Sequence, residues 1–207
     1  GSMVVPCLQA MEAIKKEGEA LLNFDDAFTN WQNRVLSLRK WRPQEAWPDV
    51  STTTLLVTNY TWLAPHLSQV KKTEDLKKMN LVEILQAQLD WEKQAALDKL
   101  APTRIEVPSG SKVAIQYQAN GDNPILAVRL QEVFGLADTP LINEGRTPLV
   151  LHLLSPGFKP VQITSDLRSF WNNAYFEVKK DLRARYPKHS WPDDPWTAQA
   201  LRGIKKK

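Results

Sequence analysis

The stretch from 179 to 191 holds the densest mix of groups suited to meeting an anion or a flat ring: Lys179, Lys180, Arg183, Arg185, Tyr186, Lys188, His189 and Trp191. Ammonium and guanidinium groups neutralise phosphates, and aromatic faces stack on unpaired bases. These eight side chains are the candidate contact for a single-stranded nucleic acid. They also have a purely structural explanation. Cations near the C-terminal end of a helix favour its macrodipole, Trp191 can serve as a packing residue, and Glu177 and Asp181 dilute the positive field.

Other chemistries find little support. His66, His152 and His189 are far apart and lack metal-ligand spacing, so no metal site is expected. His152 lies in an apolar strand, where a satisfied core histidine is the simpler reading. Ser155, His152 and Asp166 are the right types for a nucleophilic site, but strand alternation gives them no reason to converge. No catalytic residue is assigned. Phosphate-cradling loops need a glycine-rich turn followed by Lys and Ser or Thr; Ser109-Gly110-Ser111 lacks both that lysine and the following helix. The chain alone is therefore not expected to hydrolyse ATP, and it needs no cofactor of its own.

An apolar content of 43% over 207 residues supports a sizeable core, in one large domain or two small ones. No apolar run approaches the roughly 18 residues of a membrane span, and no secretory leader pattern opens the chain. Gly1-Ser2-Met3 has the look of a cloning scar and is set aside. The single cysteine, Cys7, excludes an internal disulfide and reads as a small apolar helix residue, so a reducing, cytoplasmic setting is expected. Charge is uneven. Residues 1–100 carry 12 basic and 13 acidic side chains, whereas 101–207 carry 15 and 10, a net of +5 that suits an anionic partner.

The elements that must position these groups follow from periodicity. Residues 6–17 predict a helix with Leu8, Met11 and Ile14 on one face and Gly18 as its stop. A second runs from about Asp25 to Lys40, with Phe28, Trp31, Val35 and Leu38 on one stripe. Ser51 is the expected cap of a third, ending near Pro65, and Thr73 and Asp90 are further cap candidates. Trp31, Trp41, Trp47 and Trp62 read as core rather than as a ligand cage. Near Pro102 the period changes to two. Strands are expected at 104–107 and 112–117, then a helix from Pro124 burying Leu126, Leu130, Val133 and Phe134 and ending at Gly135. A second hairpin follows, with Ser155-Pro156-Gly157-Phe158 as a type II turn. Ser165 would then cap one long helix whose stripe is Leu167, Phe170, Trp171, Ala174, Val178 and Leu182. The expected class is α+β: an N-terminal helical bundle, then a ββαββα unit whose antiparallel sheet is covered by helices. The expected boundaries are 1–3 for the scar, 4–101 for the helical subdomain, 102–192 for the α+β domain and 193–207 for a tail ending in Lys205-Lys206-Lys207.

Four runs then become informative together: Val107-Pro108-Ser109-Gly110-Ser111, Ala127–Gly135, Gly145–Pro156 and Arg185–Pro195. In order and spacing they resemble the C-terminal region of HrpB-type bacterial DExH-box RNA helicases, and Trp47-Pro48 and Trp62-Leu63-Ala64-Pro65 resemble the stretch preceding it. The resemblance implies a parent ATP-dependent RNA helicase whose RecA-like motor, with its ATP and magnesium sites and its auxiliary modules, lies upstream. It implies no catalytic residue here. The expected function is that of an accessory region which assists RNA binding and packs on the helicase core, with no ATPase of its own. The expected partners are the core modules of the same polypeptide and single-stranded RNA. The alternative is a protein-interaction module tethering the helicase to a partner, for which tryptophan and proline richness is also suited.

Overall fold

The computed structural model describes residues 4–204, so the readings of Gly1-Ser2-Met3 and of Lys205-Lys206-Lys207 lie outside the described residues. The chain divides into two compact units. One runs to Asp98 and takes in Ala119–Gly121; the other comprises Lys99–Gln118 and the chain from Asp122 onward.

The first unit is helical: α1 (Val4–Leu21), α2 (Asp26–Trp41), α3 (Thr52–Val57), α4 (Asn59–Trp62), α5 (Leu81–Gln86) and α6 (Trp91–Leu100), within which the division falls. Asp25 caps α2 by accepting from the Phe28 amide at 2.8 Å. The predicted stripe Phe28, Trp31, Val35 and Leu38 is buried, as are Trp47 and Trp62. Trp41 is half-buried and donates to the Gly121 carbonyl at 2.9 Å. α2 also buries polar groups, among them Gln32, which donates to the Val50 carbonyl at 2.8 Å, and Arg34, which donates to Asp98 at 2.8 Å.

Three helix expectations need correction. α1 does not stop at Gly18 but continues to Leu21 past a non-helical Glu17, and Leu8 of its predicted buried face is exposed. A Cβ on Gly18 would come within 2.2 Å of the Leu56 side chain, so close packing explains the glycine. The helix from Ser51 splits into α3 and α4 at Thr58. There the Thr58 hydroxyl donates to the Thr54 carbonyl at 2.6 Å and the Asn59 amide to that of Leu56 at 2.7 Å, competing with the helical ladder. Ser51 and Asp90 do cap α3 and α6, but Thr73 only opens a 3-10 turn, and Asn80 caps α5.

In the second unit, β1 (Arg104–Glu106), β2 (Lys112–Gln116), β3 (Ile125–Arg129), β6 (Val150–Leu154) and β7 (Pro160–Thr164) form one sheet in that order, and β4 (Leu141–Ile142) and β5 (Thr147–Pro148) form a small ladder. The class is α+β, but the sheet is mixed rather than antiparallel, because β3 and β6 run parallel. The ββαββα order is also corrected: the predicted helix from Pro124 is the central strand β3 followed by a 3-10 turn at Leu130–Val133. Its four apolar residues, Leu126, Leu130, Val133 and Phe134, are all buried as expected. With strands on both sides and β-branched Ile125 and Val128 in it, the segment follows the period of two in place of 3.6.

The expected long helix after β7 is broken into α7 (Leu167–Asn172) and α8 (Tyr175–Arg185). Asp166, not Ser165, caps it by accepting from the Ser169 amide at 3.0 Å. At the break the Asn173 side chain donates to the Ser169 carbonyl at 2.9 Å, taking a helical acceptor. Of the predicted stripe, Leu167, Phe170, Trp171 and Leu182 are buried, whereas Ala174 and Val178 are only half-buried and Tyr175, outside it, is fully buried.

Candidate nucleic-acid interface

α8 delivers the predicted cations, but its geometry divides them. Lys179 is drawn into an ion pair with Asp193, which leaves its side chain 12% exposed. Lys180 and Arg185 are exposed and pair loosely along the helix with Glu177 at 3.3 Å and Asp181 at 3.5 Å. Such exposed pairs contribute little and leave the cations open to another anion. Arg183 and Lys188 are exposed and have no ion-pair partner among the described residues. The Lys179 ammonium, with Arg183 further off, holds the Asp193 carboxyl below the usual carboxylate range.

The aromatics are more structural than the cations. Trp191 is half-buried, donates to the Tyr186 carbonyl at 2.9 Å and sits edge-on to Phe134, 6.5 Å away. Phe134 in turn contacts Trp171 and Tyr175 at 5.9 and 6.2 Å, a cluster in which each edge-to-face pair adds about 1 kcal/mol beyond burial. Tyr175 donates to the Pro192 carbonyl at 2.6 Å; burial, helped by Asp193 and Asp194, pushes its phenol pKa up and keeps that donor protonated. The Gly135 amide reaches the Pro195 carbonyl at 2.7 Å, and the Leu201 amide reaches that of Gln131 at 3.2 Å. The run from Tyr186 to Leu201 is thus strapped along residues 131–135.

Under this strap, Glu132 is a buried hub. Its carboxylate accepts from Ser109 at 3.0 Å, Ser111 at 2.5 Å and the Arg129 guanidinium at 3.2 Å. Ser109-Gly110-Ser111 is therefore a tethered turn, and Arg129 at the end of β3 has a fixed direction.

Arg129 points to a part of the surface outside the predicted set. Its guanidinium lies 4.7 Å from the centre of the Phe158 ring, and Phe158 is 64% exposed at the β6–β7 turn. The turn is not type II. The left-handed residue is Phe158 (φ 64°), not Gly157. The Phe158 amide donates to the Ser155 carbonyl at 2.9 Å, which fits a type I turn followed by a left-handed residue. A Cβ on Gly157 would come within 2.7 Å of the Tyr186 hydroxyl, so this glycine admits the tyrosine. That hydroxyl lies 3.4 Å from Ser155 Oγ, and the Tyr186 and His189 rings meet edge-to-face at 5.9 Å. Lys159 and Arg185 line one shallow hollow beside the turn, together with Glu177 and Asp181.

Tyr186 and His189 are thus brought to the β6–β7 turn, Arg183 and Lys188 stay open on and beyond α8, and Lys179 and Trp191 are committed to internal contacts. Arg129, Phe158 and Lys159 have no place in the sequence-based set. The available signal was a large aromatic and a lysine directly after Pro156-Gly157, where turn residues are usually small and polar. His152 is half-buried and faces away from the core beside Ala127 and Ile163, so the reading of a core histidine is corrected: in β6 it is Leu151 and Leu153 that point inward. Among the described residues no group of three or more His, Cys, Asp or Glu side chains is placed to hold a metal, and no helix is long and apolar enough to cross a membrane.

Comparison with known proteins places the chain. A family model described as "ATP-dependent helicase C-terminal" matches residues 62–195. The ATP-dependent RNA helicase HrpB of Escherichia coli (strain K12) is 44% identical over 199 residues, covering 96% of this chain and 24% of the relative. A crystal structure of the E. coli DExH-box NTPase HrpB superposes with a TM-score of 0.87 at 43% identity, over 93% of this chain and 24% of that one. A second, of the E. coli DEAH/RHA helicase HrpB, gives 0.73 at 42% identity, over 87% and 23%. The chain thus spans about a quarter of the length of each of these relatives. On the family match and on this identity along nearly its whole length, the chain belongs to the ATP-dependent helicase C-terminal family.

Proposed function

We propose that this chain is an accessory region of an ATP-dependent RNA helicase that holds single-stranded RNA by its phosphates and turns over no ATP itself. The observation that carries the reading is the pair of exposed cations Arg183 and Lys188, which have no ion-pair partner among the described residues, flanked by the loosely paired Lys180 and Arg185. With a net charge of +5 over residues 101–207, this group is suited to the backbone of a strand near the motor. Lys179, Trp191 and the buried part of Tyr186 act indirectly, by fixing α8 and the strap that present the cations. The motor modules of the same polypeptide are the structural partner, and ATP and magnesium belong to them.

A salt titration of a fluorescent single-stranded oligoribonucleotide against this protein tests the reading. If about three phosphates are neutralised, log K should fall with log salt at a slope near −2, or roughly 20-fold between 50 and 200 mM. The triple variant R183E/R185E/K188E should lose binding at low salt. Undiminished affinity in that variant, or no binding by the unaltered protein at low salt, removes the RNA claim.

A further inference from the structure

We propose that Phe158 is a stacking post for one unpaired base, with the neighbouring phosphates held by Lys159 and Arg185. This rests on the RNA-contact reading and adds to it a preference for single strands over duplex.

Phe158 contributes little to the core, since it stands 64% exposed at the tip of the β6–β7 turn. Its backbone adopts φ 64°, a conformation that glycine takes without strain, yet the position carries a large flat ring. The Arg129 guanidinium, 4.7 Å from the ring centre, occupies one face, and the Glu132 carboxylate holds that guanidinium in place. The opposite face is therefore the accessible one. A base laid on it removes two apolar surfaces from water and brings its phosphates toward Lys159 and Arg185, a field diluted by the helix-paired Asp181 and by Glu177, while the charge of Arg129 is balanced by Glu132. Trp196 is also partly exposed, but it follows Asp193 and Asp194, whose charge repels phosphate. Bases inside a duplex are already stacked on both faces, which is why the site favours a single strand.

The experiment uses the 207-residue protein, a single-stranded oligoribonucleotide carrying 2-aminopurine, and the variants Phe158→Gly and Phe158→Trp. Glycine suits the left-handed backbone, so Phe158→Gly should keep or raise the melting temperature and report on binding rather than folding. We expect Phe158→Gly to weaken affinity about tenfold with an unchanged salt slope, and Phe158→Trp to retain affinity and the 2-aminopurine quench. Duplex RNA of equal length should compete poorly. If Phe158→Gly binds as the unaltered protein does while R183E/R185E/K188E has lost affinity, the stacking post is overturned and the phosphate reading stands; Phe158 then suits a protein contact instead. Equal competition by duplex also overturns it. If the unaltered protein fails to bind at low salt, both fail together.

Discussion

His189 sits where the strap leaves Tyr186, with its Nδ1 buried and without a hydrogen-bond partner among the described residues. Desolvation, reinforced by the Arg129 guanidinium, lowers its pKa from the ordinary 6.5, against a smaller opposing effect of a backbone contact with Gly203. On acidification the unfolded chain therefore takes up a proton before the folded one does. The stability that neutral His189 contributes is complete above about pH 6.5 and is lost as pH falls through the lower folded value. Thermal unfolding of the unaltered protein and of His189→Asn should therefore show a gap in Tm that shrinks from about pH 8 to about pH 5. A constant gap would show that the imidazole does not titrate differently on folding. Gly135 offers a second residue-scale check. Its φ is 88° and a Cβ would meet the Ala198 carbonyl oxygen at 2.9 Å, a backbone atom with little room to yield. Gly135→Ala should cost about 2–3 kcal/mol in urea unfolding, whereas a loss near zero would mean the strap is not held there. At this scale the sequence told which side chains carry charge. It did not tell which are spoken for: Lys179 finds Asp193 across 14 positions, and Arg129 meets Phe158 across 29, distances that no local pattern encodes.

Among the elements, the buried set was more legible than the secondary structure. Leu126, Leu130, Val133 and Phe134 fit a helical stripe, and all four are buried, but by way of a strand and one 3-10 turn. Short apolar runs satisfy both periods, and pairing with β2 and β6 decides. The break between α7 and α8 was hidden for a related reason, because side-chain amides taking helical acceptors leave the apolar spacing intact. Glu132 shows the converse case. Between β3 and the strap it looks like one more charged residue, yet it joins Ser109, Ser111 and Arg129 below the surface. Removing it strands three donors. Glu132→Ala should lower unfolding free energy by about 2–4 kcal/mol, and a loss below about 1 kcal/mol would reduce the hub to a surface contact.

For the molecule as a whole, the change of period near Pro102 announced a helical part and a sheet-bearing part. The observed division falls at Asp98–Lys99, with Ala119–Gly121 counted to the helical unit. That excursion was not legible, since it depends on Trp41 reaching the Gly121 carbonyl. The four runs that carried the family resemblance prove largely architectural: the Ser109 turn, the Glu132 hub, the Ser155 turn and the strap contact one another. What that architecture presents to solvent is the exposed cations of α8 and the β6–β7 turn. The most direct test places R183E/R185E/K188E in an intact helicase carrying this region and measures ATP turnover against single-stranded RNA concentration. An accessory RNA contact predicts that half-maximal stimulation needs at least about tenfold more RNA while the rate at saturation is unchanged. An RNA dependence identical to that of the unaltered helicase would contradict it.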